Sequence, residues 1–121
     1  MEPATPMPAP SWDGRSRAAA VTAAQEALRR FARPGLSPAQ WQDGLRPVLS
    51  EAGRQWYQYV DPAQVPATQV RPGARLVDVS SPYLAGVDVP TDVGVYRVLL
   101  SRLEAAAPWK VERFTPPKGV R

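Results

Sequence analysis

The chain holds 121 residues, 44% of them apolar and 21% charged, with a formal net charge of +4. That is one domain's worth of sequence, apolar enough to build a hydrophobic core. Histidine and cysteine are both absent, which removes Cys or His nucleophiles, Ser-His-Asp relays, Cys/His zinc sites, His-ligated haem and disulfides. No metal and no cofactor is expected. No apolar run approaches the ~20 residues of a membrane-spanning helix, and the N-terminus does not read as a secretion signal.

Thirteen of the fifteen cations are arginines, the lysines being only Lys110 and Lys118. They are scattered from Arg15 to Arg121 with acids between them. A phosphate-binding surface needs its charges on one face or in one run, so direct nucleic-acid binding is not expected. The test of that expectation is whether any DNA affinity is strongly salt-dependent.

Residues 1–12 read as a proline-rich linker, with four prolines in MEPATPMPAPS and no apolar periodicity. From about Asp13 to Ala32, Val21, Ala24, Leu28 and Phe31 recur at helical spacing. Arg15, Glu26, Arg30 and Arg33 lie opposite, with Arg29 on the border. Glu26 precedes Arg30 by one helical turn, in the favourable order for a weak ion pair. The run Arg33-Pro34-Gly35 ends this helix. Ser37-Pro38-Ala39-Gln40 is the clearest local signal: Ser37 suits an N-cap, Pro38 the first helical position, and Gln40 the return bond of a capping box. The short helix it opens carries Trp41 and Leu45.

Pro47 reads as the start of a third helix, which Asp61-Pro62 terminates. On it Val48, Leu49, Ala52, Trp56, Tyr59 and Val60 share one face, and Tyr57 points away. Val65 to Val70 is an extended connection, and Arg71-Pro72-Gly73 supplies a turn in which Gly73 is free to take a positive φ. Alternation then predicts strands at Leu76–Val79, Leu84–Val89, Val93–Leu103 and Trp109–Phe114. Asp92 and Gly94 flank the second bend, and Glu104 to Pro108 form the last hairpin loop. The third strand carries Tyr96, Val98 and Leu100 on one side and Val95, Leu99 and Leu103 on the other. Apolar residues on both sides predict a central strand partly covered on both faces.

Three helices followed by a four-strand antiparallel meander is an α+β order. The expected core is Leu28, Phe31, Trp41, Trp56, Tyr59, Tyr96, Val98, Trp109 and Val111, since aromatics dominate core burial. The domain spans residues 13–115, and residues 116–121, with Pro116-Pro117 and Gly119, form a loose tail.

Several motifs in this order carry a resemblance. They are Ser37-Pro38-x-x-Trp41, Trp56-Tyr57-Gln58-Tyr59, Val60-Asp61-Pro62 followed by Val65-Pro66-Ala67, and Val87-Asp88-Val89-Pro90-Thr91-Asp92 leading into Tyr96-Arg97-Val98-Leu99-Leu100, with Trp109-Lys110-Val111 closing the last strand. Over roughly residues 15 to 115 the chain resembles the nuclear transport factor 2-like superfamily. Within it, the chain is similar to the extracytoplasmic domains of TcpC-like, VirB-type scaffold proteins of conjugation systems in Gram-positive, actinobacterial mobile elements. The resemblance implies a cone: a curved sheet with helices packed in its concave side. It implies a non-enzymatic scaffold subunit of a conjugative DNA-transfer channel, docking other channel subunits and forming homo-oligomers. It also implies an extracytoplasmic location on a membrane anchor that would precede the domain and is not in this chain.

For such a scaffold, Arg15, Arg29, Arg30, Arg33 and Tyr57 are the expected contact residues, because Tyr and Arg are enriched at binding hot spots. Some cones of this superfamily instead hold a small-molecule pocket or an isomerase site with an Asp base and a Tyr donor. Asp78, Asp88, Tyr59 and Tyr96 are the residues of those types here. Asp88 alternates with Val87 and Val89, which favours the solvent side and argues against that reading.

Overall fold

The computed structural model describes residues 10–119. Three α-helices come first: α1 (Gly14–Phe31), α2 (Pro38–Leu45) and α3 (Glu51–Tyr57), with single 3-10 turns at Arg46–Val48 and Pro62–Gln64. Four strands follow: β1 (Arg75–Ser81), β2 (Leu84–Thr91), β3 (Gly94–Ser101) and β4 (Lys110–Thr115). They form one antiparallel sheet in the order β1-β2-β3-β4, which is open rather than closed into a barrel. The α+β order of the sequence reading is the order of the structure. Among the described residues, no helix is long and apolar enough to cross a membrane.

The helix starts follow from local chemistry. Asp13 caps α1 by accepting from the Ser16 N–H at 2.7 Å, while the Ser16 hydroxyl accepts from the Asp13 N–H at 2.9 Å. The predicted box at Ser37 is present, with Ser37 Oγ accepting from the Gln40 N–H and Gln40 Oε1 accepting from the Ser37 N–H. Each satisfies donors that a helix start would otherwise leave without partners.

Helix α1 lies against all four strands on one face of the sheet. Its stripe of Ala20, Ala24, Ala27, Leu28 and Phe31 is buried; the small residues let it sit close, and Phe31 fills the centre. The Phe31 ring contacts Trp41, Tyr57, Tyr96 and Phe114, stacking on Phe114 at 4.3 Å. Trp41 is wholly buried, its indole N–H donating to the Phe31 carbonyl at 2.9 Å. The sheet contributes Ala85, Val87 and Val89 of β2 opposite Leu100, Val98 and Tyr96 of β3, all buried. Seven of the nine residues expected in the core lie there: Leu28, Phe31, Trp41, Tyr96, Val98, Trp109 and Val111.

The other two, Trp56 and Tyr59, do not. Trp56 is 58% exposed and Tyr59 is 90% exposed, whereas Tyr57, read as pointing away, is buried at 4%. The third helix starts after Ser50 rather than at Pro47, which sits in the 3-10 turn, and it ends at Tyr57. Its inward residues are Gly53 and Tyr57, one turn apart and in line with the buried Leu49 that precedes the helix. Gly53 sets that rotation. A Cβ there would fall against the Val111 carbonyl oxygen, closer than side chains approach backbone, so glycine alone brings this helix against β4. The Ser50 N–H donates to the same carbonyl at 2.9 Å. The Tyr57 hydroxyl then accepts from the Phe114 N–H at 2.7 Å and faces the Phe114 carbonyl at 3.3 Å. Burial pushes that hydroxyl's pKa up, partly offset by the Phe114 bond.

One further boundary differs from the sequence reading. Ser11 and Trp12 are not linker: Trp12 stacks on Trp109 at 5.3 Å and its indole N–H donates to the Ser81 carbonyl at 3.2 Å. Pro10 is buried as well; residues 1–9 of the expected linker and 120–121 of the expected tail lie outside the described residues. The connection before β1 is tied at its far end, where Val70 bridges Thr91 and the Arg71 N–H donates to the Pro90 carbonyl at 2.8 Å. Gly73 takes the positive φ of +105° that the turn was expected to need.

Candidate contact surface on the open sheet face

Residues paired across neighbouring strands share a face of the sheet. Leu84, Gly86, Asp88 and Pro90 of β2 therefore lie beside Ser101, Leu99, Arg97 and Val95 of β3 on the side away from α1. On β4, Arg113 lies opposite Leu99 and Thr115 opposite Arg97. No element of the described chain covers this side. Leu84 is 43% exposed, Val95 48% and Leu99 38%. The expectation that β3 is covered on both faces is thus overturned within the described residues: its second apolar side faces outward. Leu103, expected on the same side, lies past the end of β3 and is exposed at 92%.

Trp56 extends this surface beyond β4. The Arg113 guanidinium sits 4.0 Å from the centre of its indole ring, a cation–π contact that holds the exposed side chain in place. Together with Leu84, Leu99 and Glu112 they line a shallow cleft of about 420 Å³. Glu112 occupies the bulge between the Leu99 and Leu100 pairings and accepts from the Ser101 hydroxyl at 2.6 Å. The one charged pair between the central strands is Asp88 with Arg97, which bond through Nε to Oδ1 and Nη2 to Oδ2. That bond raises the Arg97 pKa further above its ordinary value.

The residues expected to make contacts do not form one surface. Arg15 stands near the start of α1 and Arg29 near its end, about 21 Å apart at 1.5 Å per residue. Arg29 and Arg30 both reach Glu26, at 3.7 and 3.2 Å. Arg30 also donates to the Gly44 carbonyl at 2.9 Å, binding α1 to α2; it is half-buried and has a structural use. Arg33 is exposed beyond the helix end, and Tyr57 is in the core, so its expected contact role is withdrawn. The sequence does hold a signal for the outer sheet face, in Val95 and Leu99, but an apolar side of a strand reads the same whether it is covered or exposed.

The residues of the isomerase reading are separated too. Asp88 is on the outer face and Tyr96 on the inner one, in neighbouring registers of the same strand pair. Asp78 accepts from the Ser80 N–H and hydroxyl, and Ser80's backbone bond chiefly holds it below the usual carboxylate range. Tyr59 lies in water. Tyr96 is buried, which raises its hydroxyl pKa, partly offset by the Ala67 backbone, and no well-formed hydrogen bond reaches that oxygen among the described residues. No acid–base pair forms from these four.

The chain matches no known family model, no curated protein and no solved structure.

Proposed function

We propose that this chain is a non-enzymatic assembly domain that works through the uncovered face of its sheet. The observation that carries the reading is the outer side of β2 and β3, where Leu84 and Leu99 stand exposed with Trp56 adjoining them, and Val95 is exposed farther along the same face beyond Arg97. Contiguous apolar surface of this kind marks interaction sites. The inner face is filled by the Phe31 cluster, so the domain's unused apolar area is on the outside.

The partner this face fits best is a second copy of the chain. Asp88 and Arg97 stand side by side between the apolar residues. A two-fold axis through them sets each charge of one copy against its opposite in the other, so the face is complementary to itself. Its Trp and Arg are residue types that anchor interfaces.

The resemblance to the nuclear transport factor 2-like cone and to conjugation scaffolds extends this proposal. It makes the domain an extracytoplasmic subunit of a conjugative DNA-transfer channel, contributing contacts between copies and to other channel subunits. The three-helix, four-strand order and the helices packed on one sheet face support that kinship.

Sedimentation velocity on the full chain across micromolar to millimolar concentration tests the contact face. A dimer that forms with concentration and is lost in Leu99→Lys is the expected result. A monomer throughout the range, or a dimer indifferent to Leu99→Lys, overturns the self-association. Transfer frequency in a host lacking the gene tests the channel role. Rescue by the wild-type chain but not by Leu99→Lys is expected, and transfer that never depends on the gene defeats it.

A further inference from the structure

A second surface lies on the other side of the molecule, between α1 and the loop from β3 to β4. It is a groove of about 1080 Å³. Ala18, Ala19 and Ala23 form its helix wall and residues 105–108, Ala-Ala-Ala-Pro, its loop wall. Short side chains on both sides leave the gap open; the long polar residues usual on a solvent-facing helix would close it.

The head of the groove, at the start of α1, holds Arg102, which is only 6% exposed. Its Nε donates to the Pro82 carbonyl at 2.8 Å and its Nη2 to the Ser11 carbonyl at 3.1 Å. The guanidinium stands 4.6 Å from the Trp109 ring centre and 5.6 Å from that of Trp12. The two carbonyls take two of its five N–H donors and the indoles lie against its face, but neither neutralises its charge. The ion pairs among the described residues do not include it. Asp13 feels its field, but that carboxylate is engaged as the cap of α1, the Ser16 N–H being the chief cause of its lowered pKa. A largely buried cation whose charge is only partly offset is costly, and an anion brought to it recovers part of that cost.

Arg15 adds a second positive charge at the head, where Asp13 also lies, and Glu26, paired with Arg29 and Arg30, lies at the foot. From Asp13 to Glu26 the helix wall runs about 20 Å at 1.5 Å per residue, the span of about six residues of extended chain. Ser11, tied down by Arg102, lines the head and bounds the groove there.

We propose that this groove binds an extended peptide of about six small residues that ends in a free carboxylate, with the carboxylate at Arg102. The terminal position follows from the bounded head, and the small side chains from the alanine walls. This site is separate from the sheet face and stands whether or not that face dimerises.

Amide-resolved NMR titration of the full chain with the hexapeptide Ala-Ala-Pro-Ala-Ala-Ala, as free acid and as C-terminal amide, tests it. The expected result is shifts confined to α1 and the β3–β4 loop, with the acid binding at least about tenfold more tightly, as a charge-assisted bond requires. Equal binding of acid and amide overturns the carboxylate assignment. The absence of shifts up to millimolar peptide overturns the site. Because Arg102 also tethers Ser11 and Pro82, the decisive variant is Ala23→Trp, which fills the groove without touching it. Loss of binding is expected there, and unaltered binding places the peptide elsewhere and refutes the proposal.

Discussion

Tyr57 and Trp56 are neighbours with opposite fates, and their difference is one of partners rather than hydrophobicity. Tyr57 enters the core because the Phe114 backbone offers its hydroxyl a bond at 2.7 Å; Trp56 stays outside because Arg113 covers its ring there. Tyr57→Phe should cost about 1–3 kcal/mol, since the buried Phe114 N–H loses its acceptor. Trp56→Ala should change stability little while weakening any complex made by the sheet face. Urea unfolding of the two variants checks both: equal losses would mean that the assigned faces are wrong.

At the scale of elements, α3 and the end of β2 show how single residues fix the placement of whole segments. Gly53→Ala should destabilise by about 1–3 kcal/mol, the usual cost of overpacking, because the neighbour that must yield is the Val111 backbone. A melting temperature unchanged from the wild type would show that α3 can stand off β4. Asp92 ties the connection before β1 to the β2–β3 turn. It accepts from the Thr68 N–H at 2.9 Å and hydroxyl at 2.6 Å, and from the Gln69 N–H at 3.1 Å. The Thr68 hydroxyl, then its N–H, lowers the Asp92 pKa from 3.8 to about 2. A folded-state pKa below the unfolded one contributes stability that is complete above the unfolded value and disappears as pH falls through the folded value. Unfolding free energies measured from about pH 5 to pH 2 should therefore fall less steeply in Asp92→Asn than in the wild type. Parallel curves would remove Asp92 from the acid response. Asp13 and Asp78, shifted in the same direction, leave a residual slope in either protein.

For the whole molecule, the two faces of the sheet divide stability from contact. The inner face carries the Phe31 cluster and the outer face carries Leu84, Val95 and Leu99 with no layer of the described residues above them. Trp41→Ala should cost about 3–5 kcal/mol, the range for emptying a buried aromatic site. Leu99→Lys should leave the monomer's unfolding curve nearly in place while abolishing association. A large stability loss in dilute Leu99→Lys would mean that this side belongs to the core after all.

Periodicity and capping chemistry determined the element order, the Ser37 box, the face of α1 and the inner side of β3. Each of these depends on residues within a few positions of one another, so alternation or a three-to-four spacing exposes it directly. The rotation of α3 depended on a close approach to Val111, and the fixing of Trp12 on Trp109 and Arg102; those partners are distant in sequence and leave no local pattern. The same holds for the surfaces. Alternation divides β3 into two apolar sides, and only the packed chain shows that the second has no layer of the described residues over it. Alanines on a helix read as ordinary helix formers until the opposing loop makes the space between them a groove.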